Sequence, residues 1–241
     1  MEDLTGGRRL ELKWIGLAWF GLLFTTLAIG VIGGVVQGDP APLVMSWGFS
    51  DFAIFAIAVY VAGVALAVVI LWRLLRRRDL DAATIGLRGR LTASGVGLAL
   101  LAVLAGSALY LGAEAGLRLL GIGMYWVPKA THLVLRNGLD LTVTLVFAVI
   151  LGPLFEEILF RGYLVTLFLG RGFGILGAAA LSGLVFASTH AYLGPGIMLF
   201  IFFWSFLPAL LYWKCKSLYP AILFHMLNNF LAYIVVPGVF S

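Results

Sequence analysis

Two adjacent carboxylates and a guanidinium, in the stretch Glu156-Glu157-Ile-Leu-Phe-Arg161, lie inside an apolar run from about residue 139 to 169 that holds no other charge after Asp140. A charge in hydrocarbon costs roughly 2.5–3.5 kcal/mol on insertion scales, so three together need partners and mark a functional site by default. The other ionisable or amide side chains in apolar runs of the C-terminal half are His190, His225, Asn228 and Asn229. Carboxylate, imidazole, imidazole and carboxamide form a chemically coherent set. Glu156 with His190 could bind and deprotonate a water. His225 and Asn229 could donate hydrogen bonds to the oxyanion of a tetrahedral intermediate. The reaction class is amide hydrolysis by activated water, with no serine or cysteine nucleophile required. Ser182, Ser188 and Thr189, near His190 in the chain, read as small packing residues at helix contacts.

The elements that must position this set are helices. Glu157 and Arg161 stand at i and i+4, the geometry of a structural ion pair, and so do His225 and Asn229 on a later segment. Glu156 is turned about 100° from Glu157 on an α-helix, so the two carboxylates have different roles. Phe186 lies one turn before His190 and packs under it. The run holding the glutamates and the run after it turn back on each other at Gly170-Arg-Gly-Phe-Gly174. Glu156 and His190 are each about 25 Å from that turn at 1.5 Å per residue, and so face one another. His225 and Asn229 join them if the last helix packs against this hairpin. Asn228 faces a helix neighbour or caps the pocket.

The whole chain has the composition of a membrane protein. Of its 241 residues 62% are hydrophobic and 11% charged, against near half and about a quarter for soluble domains. The surplus is lipid-facing surface. The expected fold is all-α: about seven transmembrane helices in one bundle around a buried polar pocket. The runs begin near Trp14, Phe52, Leu91, Leu139, Ile175, Ile197 and Ala221, and the first reads as a retained anchor. Residues 1–138 would supply about three spans and 139–241 a catalytic core of about four, within one membrane domain. Glu114 and Arg118, at i and i+4, fray the third span as an interfacial ion pair. Alternating spans place Arg8, Arg9, Lys13, Arg73, Arg76, Arg77, Arg78, Arg88, Arg90, Arg171, Lys214 and Lys216 on one side, and only Arg118, Lys129 and Arg136 on the other. That bias puts the N-terminus in the cytoplasm and the C-terminus outside, in a multi-pass cell-membrane protein. The net charge of +5 is therefore topological and implies no nucleic-acid partner. A single cysteine, Cys215, excludes an intrachain disulfide.

Glu156-Glu157-x-x-x-Arg161, Phe186-x-x-x-His190 and His225-x-x-x-Asn229, in this order across residues 139–236, resemble the signature of the CAAX-protease and bacteriocin-processing (CPBP, or Abi) family of intramembrane proteases. The type II CAAX prenyl endopeptidase is the best-known relative. Ala83-Thr-Ile-Gly-Leu-Arg88 also resembles a common family feature. Each motif alone is weak; three in order, each in an apolar span, are specific. The resemblance implies an endopeptidase in which Glu156 and His190 activate water, His225 and Asn229 hold the oxyanion, and Glu157, Arg161 and Phe186 support them. Its substrate would be a peptide or protein, a prenylated C-terminus or a leader peptide, met in the lipid bilayer. The family is often labelled metallopeptidase. Glu156, His190 and His225 could hold Zn2+ in an open three-ligand site, and a metal-free glutamate mechanism explains the same residues equally well. Two other classes compete: an ion-coupled transporter using the same groups as a relay, and a catalytically silent membrane binding or immunity protein of the same fold. The absence of an internal repeat weighs against the transporter.

Overall fold

The computed structural model describes residues 81–125, 138–190 and 194–236, with a few positions between 65 and 77. The first expected span, nearly all of the second, and the connection carrying His132 lie outside the described residues. Those described are helical, with no strand among them. Helix α1 is Ala93–Leu119. Helix α2 runs without a break through Gly138–Val143, Thr144–Leu151, Gly152–Glu157, Ile158–Val165 and Thr166–Gly170. Then come α3 (Ile175–Ser188), α4 (Pro195–Trp204), α5 (Phe206–Cys215) and α6 (Tyr219–Phe230), the last prolonged by Leu231–Val235. Three stretches are long and apolar enough to cross a membrane: Ala93–Leu119, Leu141–Gly170 and Pro195–Cys215. The expected spans from Ile175 and Ala221 take the form of shorter apolar helices, Ile175–Ser188 and Tyr219–Val235.

Helix α1 departs from the expectation that it frays at Glu114. It continues to Leu119, and the Glu114–Arg118 pair (3.8 Å) lies along its exposed surface. Thr92 caps its start by accepting the Gly95 N–H at 3.1 Å. Its end is set by Gly121 at φ +69°, where Ile122 N–H bonds back to Leu117 O at 2.9 Å and Gly121 N–H to Arg118 O at 3.1 Å. A left-handed glycine satisfies the last carbonyls in this way. The outer face of α1 carries Leu101, Leu104 and Leu111, each more than 60% exposed. So much aliphatic surface is an aggregation liability in water and an asset in lipid. The protein is a membrane protein.

The core lies where α2 meets α3, α5 and α6, and small residues let the backbones approach. A side chain on Gly183 would press on Ser205 Cβ at 3.0 Å, and one on Gly162 on Ile85 O at 2.9 Å. Ile85 belongs to the segment Ala83–Arg88, which is threaded into the core and is almost fully buried at that residue. Asp81 holds the turn by accepting Ala83 N–H (3.0 Å) and pairing with Arg88 (2.6 Å). Gly86, at φ +78°, lies under the Tyr212 ring, and its carbonyl accepts Leu218 N–H at 2.8 Å. The Tyr212 hydroxyl in turn bonds Thr166 on α2 at 2.7 Å. This segment thus clamps α2 to the α5–α6 corner.

Gly86→Ala combines a left-handed backbone, worth about 1–2 kcal/mol against an L side chain, with overpacking of about 1–3 kcal/mol. We expect a loss of about 2–5 kcal/mol in unfolding from mixed micelles. The same change at Gly89, with φ +107° and nothing within 4 Å of a Cβ, should cost only the backbone part.

Candidate active site

The glutamates sit on the single α-helical stretch Gly152–Glu157, between two π-helical ones, Thr144–Leu151 and Ile158–Val165. Such i→i+5 segments are rare and concentrate at functional sites. Pro153 gives a local cause for the first. A proline inside a helix lacks the N–H and crowds the preceding turn, and just before it Gly152 N–H bonds to Phe147 O, five residues back. Continuing that register would match residue 153 with Ala148 O, and Pro153 has no hydrogen to give. Ala148 O instead accepts Asn229 Nδ2 from α6 at 2.9 Å. In the second π segment the Phe160 carbonyl accepts the Ser182 hydroxyl of α3 at 2.8 Å. Irregular backbone on α2 therefore docks two neighbouring helices.

Around these ties the ionic groups converge as a chain. Glu157 Oε1 accepts Arg161 Nη1 at 2.9 Å and also His225 Nδ1 at 2.8 Å. The other nitrogen of His225, Nε2, faces Glu156 Oε2 at 3.7 Å. Glu156, Glu157, Arg161 and His225 are all buried, none more than 6% exposed. The expected Glu157–Arg161 pair is present, and Glu157 additionally orients His225, a link that no spacing within one helix could disclose. The adjacent glutamates take different faces of one imidazole, one at each nitrogen.

His190, just beyond the end of α3, has its ring nitrogen Nδ1 against Phe186 O at 3.0 Å and the Thr189 hydroxyl at 3.1 Å. A carbonyl oxygen only accepts, so Nδ1 carries a hydrogen, and in the neutral ring Nε2 keeps its lone pair. A carboxylate likewise only accepts, which puts a hydrogen on Nδ1 of His225. His190 lies within electrostatic reach of both Glu156 and His225. Phe160 of α2 packs against Phe186 of α3, ring centroids 4.8 Å apart and tilted at 59°, in agreement with the expected hairpin register.

Phe186 does more than underlie His190 (4.8 Å). Its face also receives the Arg161 guanidinium at 4.6 Å, and the His225 ring lies edge-on at 6.0 Å. Trp204 closes the other side, 4.8 Å from His225 and 5.7 Å from Arg161. Trp204 Nε1 donates to Asn228 Oδ1 at 3.2 Å, and Asn228 Nδ2 to Asn229 Oδ1 at 3.4 Å. Asn228 thus faces a helix neighbour and steadies Asn229. Trp204, Ala148 O and Pro153 went unread as site residues. Only Pro153, set three residues before Glu156, carried a sequence signal that could have found its part. Among the described residues, no group of three His, Cys, Asp or Glu side chains is arranged to hold a metal ion.

Asn229→Ala leaves the part-buried Ala148 carbonyl without its side-chain donor and should cost about 0.5–1.5 kcal/mol. Pro153→Ala supplies the missing N–H, so the double variant Pro153→Ala/Asn229→Ala should be more stable than Asn229→Ala alone. Thermal melts of the four proteins in detergent measure this; strict additivity would mean that the proline and the amide are not linked.

A family model described as Rce1-like, type II CAAX prenyl endopeptidase Rce1-like, matches residues 138–231. Among curated proteins and among solved structures, nothing matches the chain. The matched stretch begins at the head of α2 and ends just past α6, and it holds every group of the Arg161–Glu157–His225–Glu156 chain together with His190 and Asn229. The likeness to the Rce1-like, type II CAAX prenyl endopeptidase family, a family of proteases, thus lies over residues 138–231.

Proposed function

We propose that this protein is an intramembrane endopeptidase that hydrolyses a peptide bond with water activated by Glu156 and His190. The observation that carries the reading is the meeting of both carboxylates with His225 inside the family-matched segment, beside a histidine whose Nε2 is left as a base. In this reading the attacking water gives its proton to the Glu156–His190 pair, and its oxygen bonds to the scissile carbonyl carbon. The same proton then passes to the departing amine as the C–N bond breaks. In this proposal His225 is the doubly protonated imidazolium, since Nδ1–H is spent on Glu157. The developing oxyanion is met by its Nε2–H and by the second N–H of the Asn229 amide, whose first is spent on Ala148 O. Glu157 anchors His225 through Nδ1 and is itself neutralised by Arg161. Phe186 packs this pair.

The substrate in this proposal is a peptide or protein of the CAAX type, a prenylated C-terminus trimmed at the membrane. The family match supports that over leader-peptide processing. The bundle would have seven spans, three within 1–138 and four within 139–241, with a cytoplasmic N-terminus and an outer C-terminus, as the lysine and arginine distribution supports.

The test is cleavage of prenylated and unprenylated peptides by the purified protein, with Glu156→Gln and His190→Ala, each with and without a chelator. Wild type should cut a prenylated peptide, and each variant should fall by about 10²–10⁴ while keeping its melting temperature. Activity that survives the chelator supports the metal-free water, and activity lost to it and restored by Zn2+ supports the metal. Equal cleavage by wild type and Glu156→Gln would overturn the site, and vesicle ion flux without cleavage would favour a transporter.

A further inference from the structure

An open cleft of about 610 Å3 lies away from the ionic chain, between the start of α1 and the α5–α6 corner. Its rim carries Arg90 and Lys214 with the hydroxyl of Ser94, and Leu98 and Leu101 line it deeper along α1. Among the described residues, no acidic one lines it. The neighbouring cations are occupied: Arg88 pairs with Asp81 at 2.6 Å, and Lys216 lies over the Trp213 ring at 5.1 Å. Among the described residues, Arg90 and Lys214 form no ion pair. Among the described residues, the cleft therefore presents two positive charges with no acidic partner over an aliphatic wall.

Its depth is fixed by the elements that form it. Arg90 lies just before one candidate span, Ala93–Leu119, and Lys214 is at the last turn of another, Pro195–Cys215. Both charges sit where hydrocarbon gives way to headgroups, and Leu98 and Leu101 lie about 8–12 Å further in, at 1.5 Å per residue. Leu101 is 63% exposed. Between them, Gly97 leaves open space, since a Cβ there would meet nothing within 4 Å. Positive charge at the interface with an apolar wall beneath is the complement of an anionic amphiphile, and basic pockets between spanning helices hold acidic lipid headgroups in this manner.

We propose that this cleft binds an anionic phospholipid, with the phosphate between Arg90 and Lys214 and an acyl chain along Leu98, Gly97 and Leu101. The site is separate from the proposed catalytic groups and stands whether or not the protein is a protease. Bound lipid bridges the start of α1 and the end of α5, bracing the corner where the 81–90 segment enters the core at Ile85 and Gly86.

The test is native mass spectrometry of the full chain in detergent, titrated with phosphatidylglycerol or phosphatidylcholine of identical acyl chains. One phosphatidylglycerol should bind at least tenfold more tightly than phosphatidylcholine. Arg90→Gln/Lys214→Gln should reduce that preference about tenfold, and Gly97→Leu, which fills the open space, should weaken both lipids. Arg118→Gln, at the far end of α1, should change neither. Equal binding of the two lipids, full retention by the double variant, or displacement by millimolar glycerol phosphate as effective as by the intact lipid would each overturn the proposal. The last result would mark a free phosphate site instead.

Discussion

One carboxylate oxygen, Oε1 of Glu157, holds this site together. It accepts from Arg161 on its own helix and from His225 on another, with all three groups buried. Bringing such charges out of water costs several kcal/mol per ion, and only good geometry with further hydrogen bonds offsets it. Phe186 and Trp204 offer their faces to the guanidinium, which supplies part of that compensation. The arrangement fixes which way His225 points and which of its nitrogens remains for chemistry. A purely apolar contact between α2 and α6 could hold the helices equally well, but it would leave the ring free to rotate.

The second constraint is the irregular path of α2. A regular α-helix spends every backbone carbonyl on itself. At the first π segment Pro153 leaves the Ala148 carbonyl to Asn229 of α6, and in the second the Phe160 carbonyl accepts Ser182 of α3. In an apolar surrounding these are among the few directional ties open to helices. They place His225 and the hairpin around the glutamates without adding charge. The clamp from Ala83 to Arg88 works at the opposite end of α2, where Gly162 lets the Ile85 backbone come close. Rigidity is supplied from both ends, and the ionic chain lies between.

Much of this was legible in the sequence. Charges in an apolar run had to be paired, and the i, i+4 spacing of Glu157 and Arg161 named the pair. The hairpin register followed from the glycine turn, and Phe160 and Phe186 meet as it requires. The Glu157–His225 bond was not legible, because contact between helices depends on rotations that spacing within each helix leaves free. Asn229 was read only as an oxyanion donor. Half of its amide hydrogen supply is committed to Ala148 O, a consequence of Pro153 and of a widened helix that an α-helical wheel does not contain. The length of α1 was underestimated because Glu114 and Arg118 read as a boundary, whereas an exposed pair one turn apart continues a helix as readily as it ends one.

The account depends most directly on the state of the two imidazoles. Nitrogen-15 NMR of histidine-labelled protein in detergent reads the tautomer of each ring, with His190→Ala and His225→Ala providing the assignment. His190 should carry its hydrogen on Nδ1 and present an unprotonated Nε2. His225 should show a strongly hydrogen-bonded Nδ1–H that disappears in Glu157→Gln. A His190 protonated only on Nε2, or a His225 signal indifferent to Glu157, would contradict the shared-carboxylate account and remove the geometric basis for the water-activating pair.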